Sequence, residues 1–388
     1  MTGLPNEALR GGVFDASTEP EADTDGNAQL RQLVEDIGRR SLQDRPGHRS
    51  LPERFDDALW RNLEDTGLSR LTSNPDLDAG PAELAIVLRG LARHAGAVPL
   101  AETDVLAAWL GARTGIELPG AGPLTVAIAE ADTDADSGAD SGSGGDRICG
   151  TAHDVGWARA ASAVVLAVRG DDGLQVIALE PADLQLVEGH NLAGEPRDSL
   201  HFDLPAGAFA RLDAAAAGEL IRRGAWARCV QMIGALDAAA ELTVAHTRER
   251  VQFGRPLSKF QAVQHALAGM AGEIERARAA ATLAVAAAAD HGFDSSQTDY
   301  AVTVAKVVLG RAVPAVATTA HQLHGAIGVT IEHQLRLATT RSQSWMDEFG
   351  STGHYARRLG RVALTAASSG VDPWDVLIGS DLRGWGLS

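Results

Sequence analysis

Two long alanine-rich segments in the second half of the chain constrain its fold more than any other feature. "AWARCVQMIGALDAAAELTVAHTRER" (225–250) and "KFQAVQHALAGMAGEIERARAAATLAVAAAAD" (259–290) both exceed the length of an ordinary globular helix. A third segment, 296–325, is also helical in pattern, and we expect a kink or break near Pro314. Long helices joined by short connections predict an up-and-down bundle over 215–367, completed by two shorter helices.

The rest of the chain divides by composition. Residues 27–118 carry apolar residues at helical spacing and predict about four helices, one of them opening at Pro52. Residues 119–210 consist of short β-branched runs between turn residues and predict a small β-domain, interrupted at 132–146 by an acidic low-complexity loop. Two tails complete the chain, a disordered one at 1–26 and a second at 368–388. The prediction is a mostly α-helical protein with a central small β-domain.

Composition excludes several classes of function. The 388 residues carry a net charge of −17, which argues against a nucleic-acid-binding protein. The two cysteines, Cys149 and Cys229, lack the spacing of a disulfide framework or a zinc site. No signal sequence is visible, and no apolar run reaches the roughly 18 residues of a membrane span. We therefore expect a soluble, cytoplasmic protein.

A polar and aromatic insertion separates the first two long helices. In "AHTRERVQFGRPLSKFQAVQH" (245–265), Arg250, Gln252, Phe253 and Gln261 surround a Gly-Arg-Pro turn. One arginine at a helix end is explained by the helix dipole alone. The whole set, with its guanidinium, amides and aromatic face, suits a ligand that has phosphate groups and planar parts.

Other polar groups carry less information. His321 and His324 have the i, i+3 spacing of metal ligands, but without a third ligand we interpret them as polar groups at a helix end. Glu332 and His333 read as a helix start. The sequence contains no phosphate-binding P-loop, nucleophile elbow or dinucleotide G-x-G-x-x-G.

Two motifs identify a family resemblance. "RERVQFGRPLSKFQ" resembles the R-x-Q/T-F-G…F-Q segment of the flavin-dependent acyl-CoA dehydrogenases, and "QLHGAIG" (322–328) resembles their Q-x-x-G-G-x-G turn. The order of helical, β and helical regions agrees from about 27 to 367. The resemblance implies an N-terminal helical domain, a β-barrel-like middle domain and a C-terminal four-helix bundle. It also implies FAD as cofactor, an acyl-CoA substrate and an electron-transfer flavoprotein as electron acceptor.

The resemblance assigns FAD contacts to residues of both motifs. In the family these groups reach the pyrophosphate and adenosine side of FAD across a subunit interface. The residues so implied here are Arg250, Gln252, Phe253, Gln261, Gln322, Gly325 and Ala326. Ala326 departs from the pattern because the family usually has a second glycine there, and its methyl group could narrow the backbone's approach to the ligand.

The segments that seat flavin on a subunit's own β-domain depart further. The family's T-E-P-x-A-G-S-D-like loop, which holds the isoalloxazine ring, is replaced by "AIAEADTDADSGADSGSGGDR". The family's aromatic-x-Thr segment is replaced by "TAHDVGWARAAS".

The catalytic base is missing from both places where the family carries it. Removal of the α-proton of an acyl-CoA needs a carboxylate, yet alignment places Phe349 at one position and Gly224 at the other. Glu348 and Asp347 are weak candidates for a displaced base. Otherwise they form a solvated helix end, and the base stays unknown.

Three hypotheses therefore remain open. The chain is a subunit of a heteromeric α2β2 acyl-CoA dehydrogenase whose partner, a second acyl-CoA dehydrogenase subunit, supplies the flavin seat and base. Alternatively, it is a self-sufficient homo-oligomer with Glu348 or Asp347 as base. In the third, it is a non-catalytic scaffold of the same fold. The acyl group, whether a fatty acid or a steroid side chain, is not assigned by the sequence.

Overall fold

The computed structural model describes residues 26–44, 51–130, 147–170, 172–331, 333–370, 372 and 374–375. The predicted N-terminal tail, apart from Gly26, and the predicted acidic loop at 132–146 lie outside these residues. The chain forms two compact units. The helical unit comprises Met1–Arg49, Ala79–Gly96 and Ile221–Leu387, and the mixed unit comprises Ser50–Asp78 and Ala97–Leu220.

Helices dominate the described residues. They are α1 (Asn27–Asp44), α2 (Asp57–Asp65), α3 (Pro81–Arg93), α4 (Ala108–Thr114), α5 (Ala214–Glu249), α6 (Gln261–His291), α7 (Ser296–His324), α8 (Leu335–Asp347) and α9 (Thr352–Ser368). Helices α1, α3 and α6–α9 belong to the helical unit, with most of α5, whereas α2 and α4 belong to the mixed unit. The helices of the predicted 27–118 region are thus divided between the two units.

Small side chains allow the long helices to approach closely. Helices α6 and α7 pack along each other, with Ala281 and Ala284 on one and Ala305 and Ala312 on the other buried. At Gly234 of α5, an added Cβ would lie 2.1 Å from the carbonyl oxygen of Arg89 in α3. Alanine and glycine therefore serve as the spacing residues of this bundle, in line with the predicted helical core.

The prediction at Pro314 had two alternatives, a kink or a break, and the break is wrong. Helix α7 runs without a break from Ser296 to His324 and includes Pro314. The proline side chain is exposed, while Val313 and Val316 beside it are buried. Packing on the buried side outweighs the loss of one backbone hydrogen bond at the proline.

A buried ion-pair network joins three helices of this unit. Asp237 of α5 is 2.7 Å from a guanidinium nitrogen of Arg89 and 2.6 Å from one of Arg278. These residues come from α3, α5 and α6, and all three are buried. Removing Asp237 would take the shared carboxylate away from two buried guanidinium groups, so the network fixes how these helices pack.

The mixed unit contains two small sheets. Its strands are β1 (Leu124–Glu130), β2 (Arg147–Gly156), β3 (Ala163–Gly170), β4 (Gly173–Leu179), β5 (Gln185–Val187), β6 (Arg197–Pro205) and β7 (Ala210–Leu212). The first sheet has the order β1-β3-β4-β7 and the second β2-β6-β5. Strands β1 and β3 run parallel and the other neighbours antiparallel. Apolar side chains of both sheets form one core.

The start of α2 also differs from the sequence prediction. The helix begins at Asp57, and the carboxylate of Asp56 accepts a hydrogen bond from the backbone N–H of Leu59 at 2.9 Å. An aspartate cap satisfies an otherwise unpaired N–H, whereas Pro52 lies five residues before the helix.

One stretch of the described chain has the length and apolar composition of a membrane span. It is Ser296–Val329, whose most apolar 18-residue window has a mean hydropathy of 1.5, so the expectation that no such stretch exists is wrong. About two thirds of its most apolar window, 67%, is buried within the protein. Because core helices of soluble proteins share these properties, this is weak evidence for a span.

Candidate functional site

The first motif folds as a short hairpin after α5. Strands β8 (Val251–Gln252) and β9 (Arg255–Pro256) pair antiparallel. Phe253 and Gly254 form the two-residue turn, with φ of 53° and 81°, as a type I′ turn requires. Phenylalanine rarely adopts positive φ, and 89% of Phe253 is exposed. An apolar ring held outward in an unfavourable conformation is typical of a contact surface.

The hairpin leads directly into the start of α6. The backbone N–H of Leu257 donates to the carbonyl of Arg250 at 2.9 Å. The guanidinium of Arg255 lies 4.1 Å from the centre of the Phe260 ring, and Phe253 meets the same ring edge-on at 6.2 Å. Gln261 is the first residue of α6, and its amide is exposed. The guanidinium, the amide and the aromatic face therefore stand at one end of the helical unit.

The second motif forms the end of α7. Gly325 follows the helix with φ of 65°, and Gly325–Val329 is a short 3-10 helix. Ala326 lies inside this 3-10 helix, a conformation that alanine adopts without strain. Ala326, which stands where the family pattern has a glycine, is exposed, so its methyl group does not disturb the packing of the protein interior.

Stacked histidines bring the two motifs together. His246, one turn before Arg250 in α5, stacks on His324 at the end of α7, with ring centres 4.4 Å apart. His333 meets His324 at 4.8 Å and His246 at 6.5 Å, edge-on in both cases. Burial lowers the pKa of His324 to about 4. No sequence pattern singled out His246, whereas His321 and His324 were interpreted as polar groups at a helix end and His333 as part of a helix start.

All seven residues assigned by resemblance lie on this end of the unit. Arg250, Gln252, Phe253, Gln261, Gln322, Gly325 and Ala326 are all exposed. Their contact with a cofactor stays a prediction, since the structure contains this chain alone.

The weak candidates for the base lie at the end of α8. The carboxylate of Glu348 accepts a hydrogen bond from Nε of the buried Arg228 at 2.6 Å. A carboxylate held by a guanidinium is a poorer proton acceptor than a free one. Asp347, the last residue of α8, is exposed. A catalytic role for either residue stays a prediction.

A buried lysine holds the same helix end. Nζ of Lys306 donates to the backbone carbonyls of Met346 and Glu348, both at 2.8 Å. Burial lowers the pKa of Lys306 to about 8, while burial raises the pKa of the neighbouring Cys229 thiol to about 12. Cationic groups at a helix C-terminus stabilise its unpaired carbonyls. Lys306 therefore fixes the backbone that leads into Phe349, a role that the sequence pattern did not signal.

The two positions aligned with the family's base face each other. A Cβ built on Gly224 would lie 2.3–2.5 Å from three atoms of the Phe349 ring. The carbonyl of Phe349 accepts a hydrogen bond from the Tyr355 hydroxyl at 2.7 Å, and Phe349 has φ of 54°. The ring therefore fills the space over Gly224, and no carboxylate stands at either position.

Charged groups occupy the end of β2, where the family's aromatic-x-Thr segment is absent. A Cβ built on Gly156 would lie 3.4 Å from a guanidinium nitrogen of Arg197 and 3.4 Å from the carboxylate of Glu102. Both charged residues are buried. Asp154 and Trp157, on either side, have φ of 56° and 60°.

Comparison with known proteins places these features in a family. A family model described as the acyl-CoA dehydrogenase C-terminal domain matches residues 214–362. Acyl-CoA dehydrogenase FadE27 of Mycobacterium tuberculosis is 30% identical over 348 residues, which cover 80% of this chain and 89% of that protein. The chain belongs to the acyl-CoA dehydrogenase family. Acyl-CoA dehydrogenase IpdE2 of Mycolicibacterium smegmatis is 32% identical over 129 residues, or 33% of this chain and 39% of that protein.

Solved structures confirm the acyl-CoA dehydrogenase fold. The ChsE4–ChsE5 complex from Mycobacterium tuberculosis matches with a TM-score of 0.71 and 25% identity, covering 89% of this chain and 97% of the matched chain. The steroid acyl-CoA dehydrogenase Tcur3481–Tcur3483 matches with a TM-score of 0.74 and 26% identity, covering 89% and 99%. Butyryl-CoA dehydrogenase of Megasphaera elsdenii, 19% identical with a TM-score of 0.72 over 88% and 98%, shares the fold. The predicted class of enzyme, an oxidoreductase that acts on acyl-CoA, is thereby confirmed.

Proposed function

We propose that this chain is one subunit of a heteromeric, FAD-dependent acyl-CoA dehydrogenase. It would supply contacts to the ADP side of a FAD that is held mainly by a partner subunit of different sequence. The assembly would catalyse α,β-dehydrogenation of an acyl-CoA thioester, with the base and the flavin seat on the partner.

The packing of Phe349 against Gly224 is the observation that carries this proposal. In relatives with a complete site, a carboxylate stands at one of these two positions. Here one position has no side chain and the other has an aromatic ring covering it. Glu348, the residue before Phe349, has its carboxylate engaged by Arg228. A chain built in this way needs its base from elsewhere.

The exposed residues of the two motifs fit the phosphate end of FAD. Arg250 offers a guanidinium, and Gln252, Gln261 and Gln322 offer amides, all exposed to solvent. One hydrogen bond between Arg250 and a phosphate oxygen would contribute about 1.5–3 kcal/mol. When bound, FAD supplies the hydride acceptor for the β-carbon. The part of this chain is to bind and orient the far end of that cofactor.

Exposed apolar side chains near the motifs support a protein partner there. Val251 and Phe253 on the hairpin, and Ile327 and Val329 after α7, are exposed in this chain. Large apolar side chains clustered at one end of a molecule mark an interaction surface. Two of the similar solved structures carry two different subunit names, ChsE4–ChsE5 and Tcur3481–Tcur3483, which favours a heteromer over a homo-oligomer.

The substrate and electron acceptor follow from the relatives. One similar structure is named a steroid acyl-CoA dehydrogenase, so a CoA thioester with a steroid or fatty acyl group is the proposed substrate. We propose an electron-transfer flavoprotein as acceptor and the cytoplasm as location.

Co-expression with an acyl-CoA dehydrogenase encoded beside this chain tests the proposal. The complex should carry FAD, and Arg250→Gln should lower its flavin content at an unchanged subunit ratio. Glu348→Gln should leave kcat nearly unchanged in the complex. A large loss of kcat with FAD retained would instead support the self-sufficient enzyme with a displaced base. A complex without FAD or activity would support the scaffold.

A further inference from the structure

Histidines from three parts of the helical unit gather between the two motifs. His246 comes from α5, His324 from the end of α7, and His333 from the segment before α8, with ring centres 4.4–6.5 Å apart. His321, one turn before His324, bonds through Nε2 to the hydroxyl of Thr339 at 3.0 Å. We name His246, His324 and His333 the imidazole cluster. Among the described residues, no group of three or more histidine, cysteine or acidic side chains has the arrangement of a metal site.

Hydrogen bonds fix the protons on two of the three rings. Nδ1 of His324 lies 2.8 Å from the carbonyl of Ala320, which can only accept, so Nδ1 carries the proton. Nδ1 of His333 lies 3.1 Å from the backbone N–H of Leu335, which can only donate. Neutral His333 therefore carries its proton on Nε2. Nε2 of His324 is buried without a partner in the described part of the chain.

Protonation is easiest at His246. Charging His333 would break its bond to the Leu335 N–H, and charging His324 would place a cation in a buried position, since 6% of that residue is exposed. His246 is only partly buried, and it lies one helical turn before Arg250, where the hairpin begins.

The charges around His246 oppose its protonation in the free chain. Burial, then His333 and Arg250, lower the pKa of His246, while Glu249 raises it. His324 faces the same ring, and His321 adds to the charges around His324. A phosphate anion bound to Arg250 would raise the pKa of His246, because it would bring negative charge within one helical turn of that ring.

We propose that His246 and His333 are part of the anion site: His333 donates its Nε2–H toward the ligand's phosphates, and His246 becomes the second cation of the site when the ligand binds. His324 stays neutral as the ring on which His246 stacks. The ligand is a diphosphate diester, which rests on the proposed function because that group is the phosphate end of FAD. Binding then takes up a fraction of a proton near pH 6.

ADP-ribose is a suitable probe, because its diphosphate diester does not ionise between pH 6 and pH 8. It is titrated calorimetrically into the full chain at both pH values, in two buffers of different ionisation enthalpy. Since one unit of pKa increase changes affinity by up to tenfold, we expect about fivefold tighter binding at pH 6, with proton uptake. His246→Gln should abolish the pH dependence, and His246→Arg should bind at pH 8 as tightly as the unmodified chain does at pH 6. His291→Gln, an exposed histidine at the far end of α6, should behave as the unmodified chain.

The outcomes separate this inference from the proposed function. Binding that Arg250→Gln weakens, but that is equal at both pH values and unaffected by His246→Gln, overturns the role of the histidines and leaves the proposed site in place. An absence of binding, or binding insensitive to Arg250→Gln, overturns the anion site on this chain. The proposed function is tested separately, by the flavin content of the complex with its partner.

Discussion

Adding a single methyl group at Gly224 should destabilise this protein, although the same change usually stabilises a helix. In Gly224→Ala the new Cβ would lie 2.3–2.5 Å from three atoms of the Phe349 ring. The ring has little freedom to move away, because Lys306 holds the preceding backbone and Tyr355 holds the Phe349 carbonyl. The overlap must therefore be relieved by distorting a packed core.

The magnitude follows from two opposing effects. Alanine improves helix propensity over glycine by about 1 kcal/mol. Overpacking of a core costs about 1–3 kcal/mol, and we take the upper end because the contact is with three atoms of a held ring. The expected net loss in the free energy of unfolding is about 2 kcal/mol, measured by urea denaturation.

A matched substitution on α6 provides the control. Gly269 is exposed, and no atom lies within 4 Å of a Cβ built there, so Gly269→Ala should stabilise by about 0.5–1 kcal/mol. Adding Phe349→Ala to Gly224→Ala should recover part of the loss, giving a coupling of about 1–2 kcal/mol. If Gly224→Ala is as stable as Gly269→Ala, the packing of the Phe349 ring over Gly224 is contradicted.

Three further expectations concern named side chains. The pKa of His324 is about 4 in the folded chain against an ordinary 6.5, so the unfolded chain binds more protons between these values. The neutral His324 should therefore stabilise the folded chain by about 3 kcal/mol above pH 6.5, and this stabilisation should be lost as the pH falls toward 4. Between these pH values, the free energy of unfolding of His324→Gln should depend less on pH than that of the unmodified chain. Lys306→Met should cost about 2 kcal/mol by leaving the carbonyls of Met346 and Glu348 unpaired, and a stability equal to that of the unmodified chain would contradict this. Because the pKa of Lys306 is about 8 against 10.5, the unmodified chain should gain stability between pH 8 and 10.5, and the variant should lack that gain. Phe253→Ser should leave thermal unfolding of the isolated chain nearly unchanged and weaken association with the partner, as measured by sedimentation.

The sequence predicted the long helices well because alanine spacing and helix-end residues are local signals. It failed at Pro52, because an aspartate cap sets the start of α2, and the break considered at Pro314 does not occur, because packing keeps α7 continuous. A turn between the first two long helices was predicted from Gly254 and Pro256, but the structure turns at Phe253 and Gly254 and places Arg255 and Pro256 in a strand, a hairpin that the sequence did not predict. In contrast, the stack of His246 on His324 joins residues far apart in the chain. Periodicity along a single sequence does not predict a contact between such distant residues.

The same limit applies to the missing base. Alignment gave Phe349 and Gly224 as two separate departures from the family pattern. Only the folded chain brings them into contact, because α5 and the end of α8 pack side by side in the helical unit. The Phe349 ring occupies the space over Gly224, so neither position can hold the carboxylate that the family pattern has there. This packing is the physical reason for expecting the base on a partner subunit.

The visible spectrum of the chain purified alone tests the central claim most directly. Half of a cofactor site should not retain flavin, so the isolated chain should be colourless, while the complex with its partner should show the flavin bands and lose them on addition of an acyl-CoA. An isolated chain that carries stoichiometric flavin, and whose flavin is reduced by an acyl-CoA, would contradict the account.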